Sequence, residues 1–166
     1  MITAKAPGKL YIAGEYAVVE NGYPAILVAL NQFVTCSIKV SPADTGRIIS
    51  EQYHENSLLW RRQGDKMVVD QRDNPFAYIL SAISVTEEYA RSLDRQLQIY
   101  DIYIDSQLDS ANGKKYGLGS SAAVTVATVK ALCLFYDLPV DKDKLFKLAA
   151  IAHFAVQGNG ALGDVA

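Results

Sequence analysis

Positive charge is not in excess in this chain. Its 166 residues include 16 lysine and arginine residues against 18 aspartate and glutamate residues, which gives a formal net charge of −2 at pH 7. A protein that binds nucleic acid or an anionic membrane through its overall charge needs the opposite balance. Long hydrophobic runs are absent as well, since no stretch approaches the roughly 20 apolar residues that span a bilayer. We therefore expect neither a nucleic-acid partner nor a membrane partner.

Cysteine and histidine are scarce. Cys36 and Cys133 lie far apart and follow no metal-binding spacing, so we expect two buried, reduced thiols rather than a disulfide framework. His54 and His153 are too few for a metal site built from histidines. The N-terminus, MITAKAPGKL, lacks the apolar core of a signal peptide. These features predict a cytoplasmic protein, and the length and composition predict one globular domain.

The order of the predicted elements indicates the fold class. Apolar and β-branched runs predict strands over residues 2–6, 10–13, 25–30, 33–40, 58–60, 67–69 and 97–104, with Pro7-Gly8 as a turn between the first two. Helical spacing predicts helices from Asn74-Pro75 to about residue 91, over 120–135, and from Asp141 to Gly158. The second helix is almost uncharged, so it should be central and buried. Strands that come mainly before helices indicate an α+β fold.

The stretch KKYGLGSSAAV, residues 114–124, has a pattern typical of an anion site. Gly117 and Gly119 permit positive φ and a close approach of a ligand to the backbone. Ser120 can cap the helix that follows, and the free N–H groups at that helix start attract phosphate. The hydroxyls of Ser120 and Ser121 suit a phosphate oxygen or Mg²⁺, and the two lysines supply positive charge. The alternative is a capped helix behind a glycine turn.

Three known nucleotide-binding patterns can be tested against the chain. No stretch matches the P-loop, G-x-x-x-x-G-K-[S/T]. GLGSSA matches a dinucleotide fingerprint, but a polar loop rather than a strand precedes it, and Asp137, at the distance of the expected acidic residue, lies between two predicted helices. GNGALG, residues 158–163, has the same glycine spacing but follows a predicted helix. We therefore reject a dinucleotide site at both places.

Two further segments carry glycines beside a charged residue. Lys5 and Lys9 bracket Pro7-Gly8 in KAPGKLYIAGEYAVV, where the alternative is a basic hairpin whose charges face solvent. In GNGALGDVA three glycines precede Asp164, so the backbone can come close to a ligand and aim one carboxylate. The alternative there is a glycine-rich helix stop with an exposed aspartate. Neither segment is specific by itself.

Taken together, the three segments resemble the GHMP kinase superfamily of small-molecule kinases. APGKLYIAGEYAVV is similar to the family's first motif, GLGSSAA to its phosphate-binding loop, and GNGALGDVA to the segment that carries its catalytic aspartate. The resemblance implies a mixed sheet with helices packed on one side, similar to domain 2 of ribosomal protein S5. It also implies that residues 1–166 form the N-terminal domain and that the family's C-terminal domain is absent from this chain.

The resemblance further implies a site for ATP and Mg²⁺. Lys9 and Asp164 match the family's catalytic pair, and Ser121 is the expected Mg²⁺ ligand, with Ser120 as the alternative. Where mevalonate kinases of the family carry a metal-binding glutamate, this chain has His153, so metal ligation would depend on fewer residues. The residues expected to bind ATP are Lys114, Lys115, Gly117, Leu118, Gly119, Ser120, Ser121 and Ala122.

Within the family, the segments most resemble bacterial enzymes that phosphorylate 5-phosphomevalonate, and the acceptor would contact Lys5, Tyr16 and Asn159. An alcohol acceptor needs a base such as Asp164, whereas a phosphate monoester, whose second pKa is about 6, is largely deprotonated at pH 7. It needs cations that bring two polyanions together, and the lysines at positions 5, 9, 114 and 115 suit that need. This favours a phosphorylated acceptor over an alcohol. The resemblance then implies ATP-dependent formation of 5-diphosphomevalonate in the mevalonate pathway of isoprenoid biosynthesis.

Other functions stay open at this stage. The acceptor could be mevalonate or another substrate of the family, or the chain could be an inactive folded module that binds nucleotide. A ribosomal-type RNA-binding module fits the fold, but the net charge of −2 and the lack of an extended basic face disfavour it. The residues leave the oligomeric state undecided, with a homodimer as one option.

Overall fold

The computed structural model of the chain describes residues 1–51, 57–69, 75–108, 117–160 and 162–166. This part of the chain contains six strands, three α-helices and short 3₁₀ turns at Ala17–Val19 and Leu162–Asp164. The strands are β1 (Ile2–Ala13), β2 (Ile26–Val40), β3 (Gly46–Ser50), β4 (Leu58–Gln63), β5 (Lys66–Val69) and β6 (Tyr100–Ser106). The helices are α1 (Ala77–Ser92), α2 (Ser120–Phe135) and α3 (Lys142–Gln157).

The strands form one mixed sheet in the order β1-β2-β6-β3-β4-β5. β3 and β6 run parallel, with Ile48 opposite Ile102, and the other paired neighbours are antiparallel. Helix α2 lies against β1 and β2 and contacts α1 and α3 on its other sides. This arrangement confirms the predicted α+β fold, a mixed sheet with helices packed on one side.

Helix α2 is the centre of the core, as its lack of charge predicts. Its buried positions include small residues such as Ala127 and Ala131, which let neighbouring elements come close. The hydroxyls of Thr125 and Thr128 are also buried, and each donates to the carbonyl oxygen four residues earlier in the helix. Because these polar groups are hydrogen-bonded within the helix, their burial carries little penalty.

The strand predictions near the N-terminus were wrong in one respect. The predicted strands over residues 2–6 and 10–13 are parts of one strand, β1. Those over residues 25–30 and 33–40 fall in one strand, β2, which begins at Ile26. Pro7-Gly8 is therefore not a turn between strands. It lies at a β-bulge, where the register shifts from Pro7 opposite Phe33 to Lys9 opposite Ala29. Two residues of β1 pass here against four of β2, so the extra residues lie on β2 and the ladder continues past Pro7-Gly8.

The bulge changes which side chains of β1 face the helices. Before it, the buried residues are Ala4, Ala6 and Gly8, at even positions. After it, the odd positions Lys9 and Tyr11 are the less exposed ones. Gly8 itself leaves no room for a side chain, because a Cβ would lie 2.4 Å from a methyl carbon of Leu108. The face switch brings Lys9 to the helix side of the sheet.

Other element boundaries differ from the sequence predictions in smaller ways. β3 was not predicted, because its short sequence lies within a stretch rich in turn residues, and its burial comes from pairing with β6. β6 begins at Tyr100 rather than at residue 97. Asn74, the predicted helix start, lies outside the described residues, and α1 ends at Ser92, close to the prediction.

Helix α3 has the predicted ends. The Asp141 carboxylate accepts a hydrogen bond from the backbone N–H of Lys144 at 2.7 Å, which satisfies one of the free donors of the first turn. Gly158 ends the helix with a φ of 76°. Cys36 and Cys133 are both buried and unpaired, which confirms the prediction of free thiols. Among the described residues, no helix has the length and apolar character needed to cross a bilayer.

A buried charged cluster joins the sheet to the helices away from the N-terminal strand. Glu87 of α1 accepts two hydrogen bonds from the guanidinium of Arg62 on β4. It also accepts from the Tyr100 hydroxyl at 2.7 Å and from the Tyr136 hydroxyl at 2.9 Å. These four partners satisfy one another in the interior, as buried charges require. Burial and the negative charge of Glu87 raise the pKa of both tyrosines, so the hydroxyls stay protonated donors.

Candidate active site

The glycine loop before α2 has the conformation that its sequence predicts. Gly117 has a φ of 73° and Gly119 a φ of 76°, a region that other residues adopt only with strain. Ser120 is not the N-cap of α2, which corrects one expectation. The N-cap is Gly119, and Ser120 is the first helical residue. Since glycine has no side chain to cap the helix, the N–H groups of the first turn stay available to an anion.

The backbone of Lys9 holds this loop against β1. The Lys9 N–H donates to the Leu118 carbonyl oxygen at 2.9 Å. The Lys9 side chain then passes directly over Gly119, where an added Cβ would lie 2.9 Å from both Cγ and Cε of the lysine. Glycine at position 119 therefore serves two purposes, a positive φ and an open path for Lys9.

The far end of the Lys9 side chain reaches the other glycine-rich segment. Lys9 Nζ lies 2.9 Å from Asp164 Oδ1, and the two side chains are only 15% and 23% exposed. Asp164 ends the 3₁₀ turn Leu162–Asp164, and the buried Val165 anchors the chain directly after it. The glycine loop, Lys9 and Asp164 thus meet at one place. Their geometry is that expected for the predicted catalytic pair, whose catalytic role stays a prediction.

Tyr11 is a third member of this group that the sequence interpretation missed. Lys9 Nζ lies 4.1 Å from the centre of the Tyr11 ring, within the range of a cation–π interaction. Burial raises the pKa of Tyr11, and the charge of Asp164 and a hydrogen bond to it raise the pKa further. The available signal was its position two residues after Lys9 in a strand, which places both side chains on one face.

His153 lies beside Ser121 at the start of α2. It is 4% exposed, its ring stacks on Tyr78 with centroids 5.2 Å apart, and its Nε2 lies 3.5 Å from the Ser121 hydroxyl oxygen. Burial is the largest effect and lowers the pKa of His153. The negative charge of Asp164 acts in the opposite direction, and the positive charge of Lys9 lowers the pKa further. The imidazole is therefore a neutral neighbour of the serine at neutral pH.

Among the other residues expected at the site, Lys5 is the one that the described structure places elsewhere. Lys5 lies on the opposite face of the sheet, in a row with Thr35 and Asp105, because it precedes the bulge. The expectation that Lys5 clusters with Lys9 is therefore wrong. Tyr16 is 86% exposed beside the first 3₁₀ turn, and Asn159 is exposed beyond the end of α3. Lys114 and Lys115, expected to bind ATP, lie outside the described residues.

A divalent cation would find few protein ligands here. The described residues contain no group of three or more histidine, cysteine, aspartate or glutamate residues that could hold a metal ion. Mg²⁺ does not need such a group when it arrives with a nucleotide, since it keeps several waters and takes other ligands from phosphates. The Ser121 hydroxyl offers the oxygen donor that Mg²⁺ prefers, so the residues present fit a nucleotide-bound Mg²⁺.

Comparison with known proteins decides the family. The family model described as GHMP kinases N terminal domain matches residues 77–166, which is more than half of the chain. The chain belongs to the GHMP kinase family. The matched region begins with α1 and contains the glycine loop, α2, α3 and Asp164. The resemblance seen in the sequence is thereby confirmed at the level of the family.

Two relatives indicate the part of the GHMP kinase family to which the chain is similar. It is 36% identical to the phosphomevalonate kinase of Streptomyces sp. (strain CL190), over 99% of this chain and 46% of that protein. It is 29% identical to the mevalonate kinase of Methanocaldococcus jannaschii, over 96% of this chain and 49% of that protein. The chain spans about half the length of the curated relatives it matches.

A solved structure of the GHMP kinase family agrees with the fold. The Streptococcus pneumoniae phosphomevalonate kinase in complex with phosphomevalonate and AMPPNP superimposes with a TM-score of 0.80 at 32% identity. The match covers 99% of this chain and 46% of that chain. The mixed sheet and its helices are thus those of a GHMP kinase N-terminal domain.

Proposed function

We propose that this chain is the N-terminal, phosphate-binding domain of a kinase that transfers the γ-phosphoryl group of ATP to 5-phosphomevalonate, giving ADP and 5-diphosphomevalonate. The observation that carries the proposal is the meeting of three features at one place: the glycine loop at the start of α2, Lys9, and Asp164. We infer that the reaction takes place in the cytoplasm, where unpaired thiols such as Cys36 and Cys133 stay reduced.

The arrangement supports phosphoryl transfer through positioning and charge. The N–H groups of the first turn of α2 are directed to the nucleotide phosphates, where the helix dipole favours negative charge. Lys9 lies between this loop and Asp164, so its ammonium can contact the transferred phosphoryl group while the carboxylate fixes its orientation. Mg²⁺, when bound with the nucleotide, neutralises phosphate charge, and Ser121 is the residue that would hold it.

The acceptor is proposed to be a phosphate monoester, for a chemical reason. Its second pKa is about 6, so its oxygen is largely ready to attack at pH 7 without a strong base. Asp164 is already engaged with the Lys9 ammonium at 2.9 Å, which suits orientation of the lysine as well as proton removal. Such an acceptor needs cations that bring two polyanions together. Lys5 lies on the other face of the sheet, so the lysines proposed to meet this need are those at positions 9, 114 and 115. The similarity to the Streptomyces phosphomevalonate kinase adds support.

Mevalonate is the second candidate acceptor. Mevalonate kinases are among the relatives, and a carboxylate beside a lysine is an arrangement that can remove the proton of an alcohol. The two acceptors are distinguished by measuring ADP release with each, using the full product of the reading frame. We expect turnover with 5-phosphomevalonate and a ³¹P spectrum of a diphosphate product. Turnover with mevalonate alone would refute the choice of acceptor.

The 166-residue chain by itself is proposed to bind nucleotide and to turn over slowly or not at all. The relatives that it matches are about twice its length, so residues beyond the matched half are available to complete their acceptor pockets. The measurement compares calorimetric ATP binding with ADP release for the same preparation of the chain. Robust turnover by the 166 residues alone would contradict this part of the proposal.

A further inference from the structure

We propose that Tyr11 is a positioning residue that holds Lys9 and Asp164 in the orientation needed for phosphoryl transfer, a role that rests on the proposed function. The proposal follows from the position of the Tyr11 side chain, whose ring contacts Lys9 and whose hydroxyl lies beside the turn that carries Asp164. Tyr11 lies two residues after Lys9 in β1, on the same face of the strand. Lys9 passes over Gly119 to reach Asp164, and the Tyr11 hydroxyl approaches Gly163 in the 3₁₀ turn of Asp164.

The Tyr11 ring restricts the Lys9 ammonium. Lys9 Nζ lies 4.1 Å from the ring centre and 2.9 Å from Asp164 Oδ1. A lysine ammonium has three N–H donors, so one can be directed to the carboxylate and one toward the ring face. The third is left for another acceptor, such as a phosphate oxygen. An ammonium without the ring beneath it would rotate freely about the same ion pair.

The Tyr11 hydroxyl restricts the turn that carries Asp164. Its oxygen would lie 2.9 Å from a Cβ added at Gly163, so the absence of a side chain there lets the hydroxyl approach the backbone just before Asp164. Leu27, which is opposite Tyr11 in the β1–β2 ladder, has methyl carbons 3.8 Å from the same added Cβ. The hydroxyl and this leucine confine the turn that carries the carboxylate. The alternative role for Tyr11 is that of an aromatic residue that only fills space.

Two substitutions separate the ring from the hydroxyl. Tyr11→Phe keeps the ring but loses the hydroxyl and its hydrogen bond to the Asp164 carboxylate. We expect kcat of the full product of the reading frame to fall about ten-fold, the lower end of the contribution of a hydrogen bond to a charged group. Tyr11→Leu loses both, and we expect kcat to fall about thirty-fold because the cation–π contact is also lost. The KM for ATP should stay within about two-fold in both, since the glycine loop is untouched.

A matched control is available on the other face of the sheet. Lys39 lies over the ring of Tyr103 at 5.2 Å, an equivalent lysine–tyrosine contact far from Asp164. Tyr103→Leu removes that contact, and we expect kcat to be unchanged. If Tyr11→Leu lowers kcat no more than Tyr103→Leu does, or raises the KM for ATP in parallel, Tyr11 only fills space and the proposal is wrong.

A double-mutant cycle tests the contact with the Asp164 turn. Gly163→Ala places a methyl group against the Tyr11 hydroxyl, and we expect kcat to fall about ten-fold. In the Tyr11→Phe background the methyl group has room, so the same change should lower kcat less than about two-fold. Equal effects of Gly163→Ala in both backgrounds would contradict the proposed contact.

A spectroscopic measurement on the 166-residue chain does not depend on turnover. The ε-methylene protons of Lys9, assigned with Lys9→Arg, should show an upfield ring-current shift that Tyr11→Phe keeps and Tyr11→Leu removes. A shift that survives Tyr11→Leu would overturn the proposal. If instead no acceptor is turned over by the unsubstituted protein, the proposed function fails, while the NMR shifts still decide whether Tyr11 holds Lys9.

Discussion

Lys9 Nζ and Asp164 Oδ1 lie 2.9 Å apart, although the two residues come from the first strand and the last turn of the chain. Both side chains are largely shielded from water, so this ion pair is screened less than one on the surface. The pair therefore joins β1 to the 3₁₀ turn of Asp164 and holds a cation next to the glycine loop.

Lys9→Met keeps most of the side-chain stem and removes the charge. We expect turnover to fall by at least about 10²-fold, because an electrostatic contact to the transferred group is lost, while ATP affinity falls much less. Steady-state kinetics and calorimetry measure the two quantities. Lys39→Met, on the outer face, is the control and should change neither. Equal losses of affinity and turnover would make Lys9 a binding residue only.

Gly119→Val should abolish ATP binding while the helices are retained. The substitution forces a β-branched residue into a φ of 76° and drives a Cβ into the Lys9 stem. Gly64→Val is the matched control, since Gly64 has a φ of 61° and open space around it in the β4–β5 turn. Both should lose about 1–2 kcal/mol of stability from backbone strain. Only Gly119→Val should lose the calorimetric signal of ATP, and circular dichroism should show similar helix content in both.

Glu87→Leu should destabilise the chain by about 3–5 kcal/mol, because it leaves the Arg62 guanidinium buried without its carboxylate. The double variant Arg62→Met with Glu87→Leu removes both charges and should recover most of that loss. Urea unfolding followed by tryptophan fluorescence measures the free energies, since Trp60 lies beside Arg62. A double variant as unstable as Glu87→Leu would show that the cluster contributes through packing rather than charge.

Stability should decline as the pH rises from 8 to 10. Burial raises the pKa of Cys36 to about 12 and that of Cys133 to about 11, whereas an unfolded thiol ionises near pH 8.5. Above that value the unfolded state releases protons that the folded state retains, so each thiol lowers the free energy of unfolding by up to about 1.4 kcal/mol per pH unit. Urea titrations at several pH values measure the slope. The variant Cys36→Ala with Cys133→Ala should have a clearly flatter slope, and an unchanged slope would contradict the raised pKa values.

The helices could be predicted from the sequence better than the strands. The nearly uncharged run of α2 and the capping pair Asp141 and Gly158 are local signals, and each gave the correct helix bounds. β3 lacks such a signal, because its five residues are buried only through pairing with β6, which follows far later in the chain. Pro7-Gly8 was misinterpreted because a bulge and a turn use the same residues, and the partner strand decides between them.

The candidate site was predicted in part for the same reason. Motifs identified the glycine loop, Lys9 and Asp164, because each depends on residue types within a short stretch. The presence of Tyr11 at the site and the burial of His153 depend on which face of a strand or helix packs against its neighbour. A short sequence motif does not contain that information. Lys5 was assigned to the site by its nearness to Lys9 in sequence, and the bulge between them separates the two in space.

The bulge at Pro7–Lys9 divides β1 between two tasks. Residues before it supply small side chains to the core, and those after it supply Lys9 and Tyr11 to the candidate site. One strand can therefore be altered at either end with separate results: changes at residues 4 and 6 should affect folding, whereas changes at residues 9 and 11 should affect chemistry. Deleting one residue at the bulge would exchange the two faces beyond it, so that Leu10 would replace Lys9 beside Asp164. The register shift at Pro7–Lys9 therefore decides which side chains of the second half of β1 reach the candidate site.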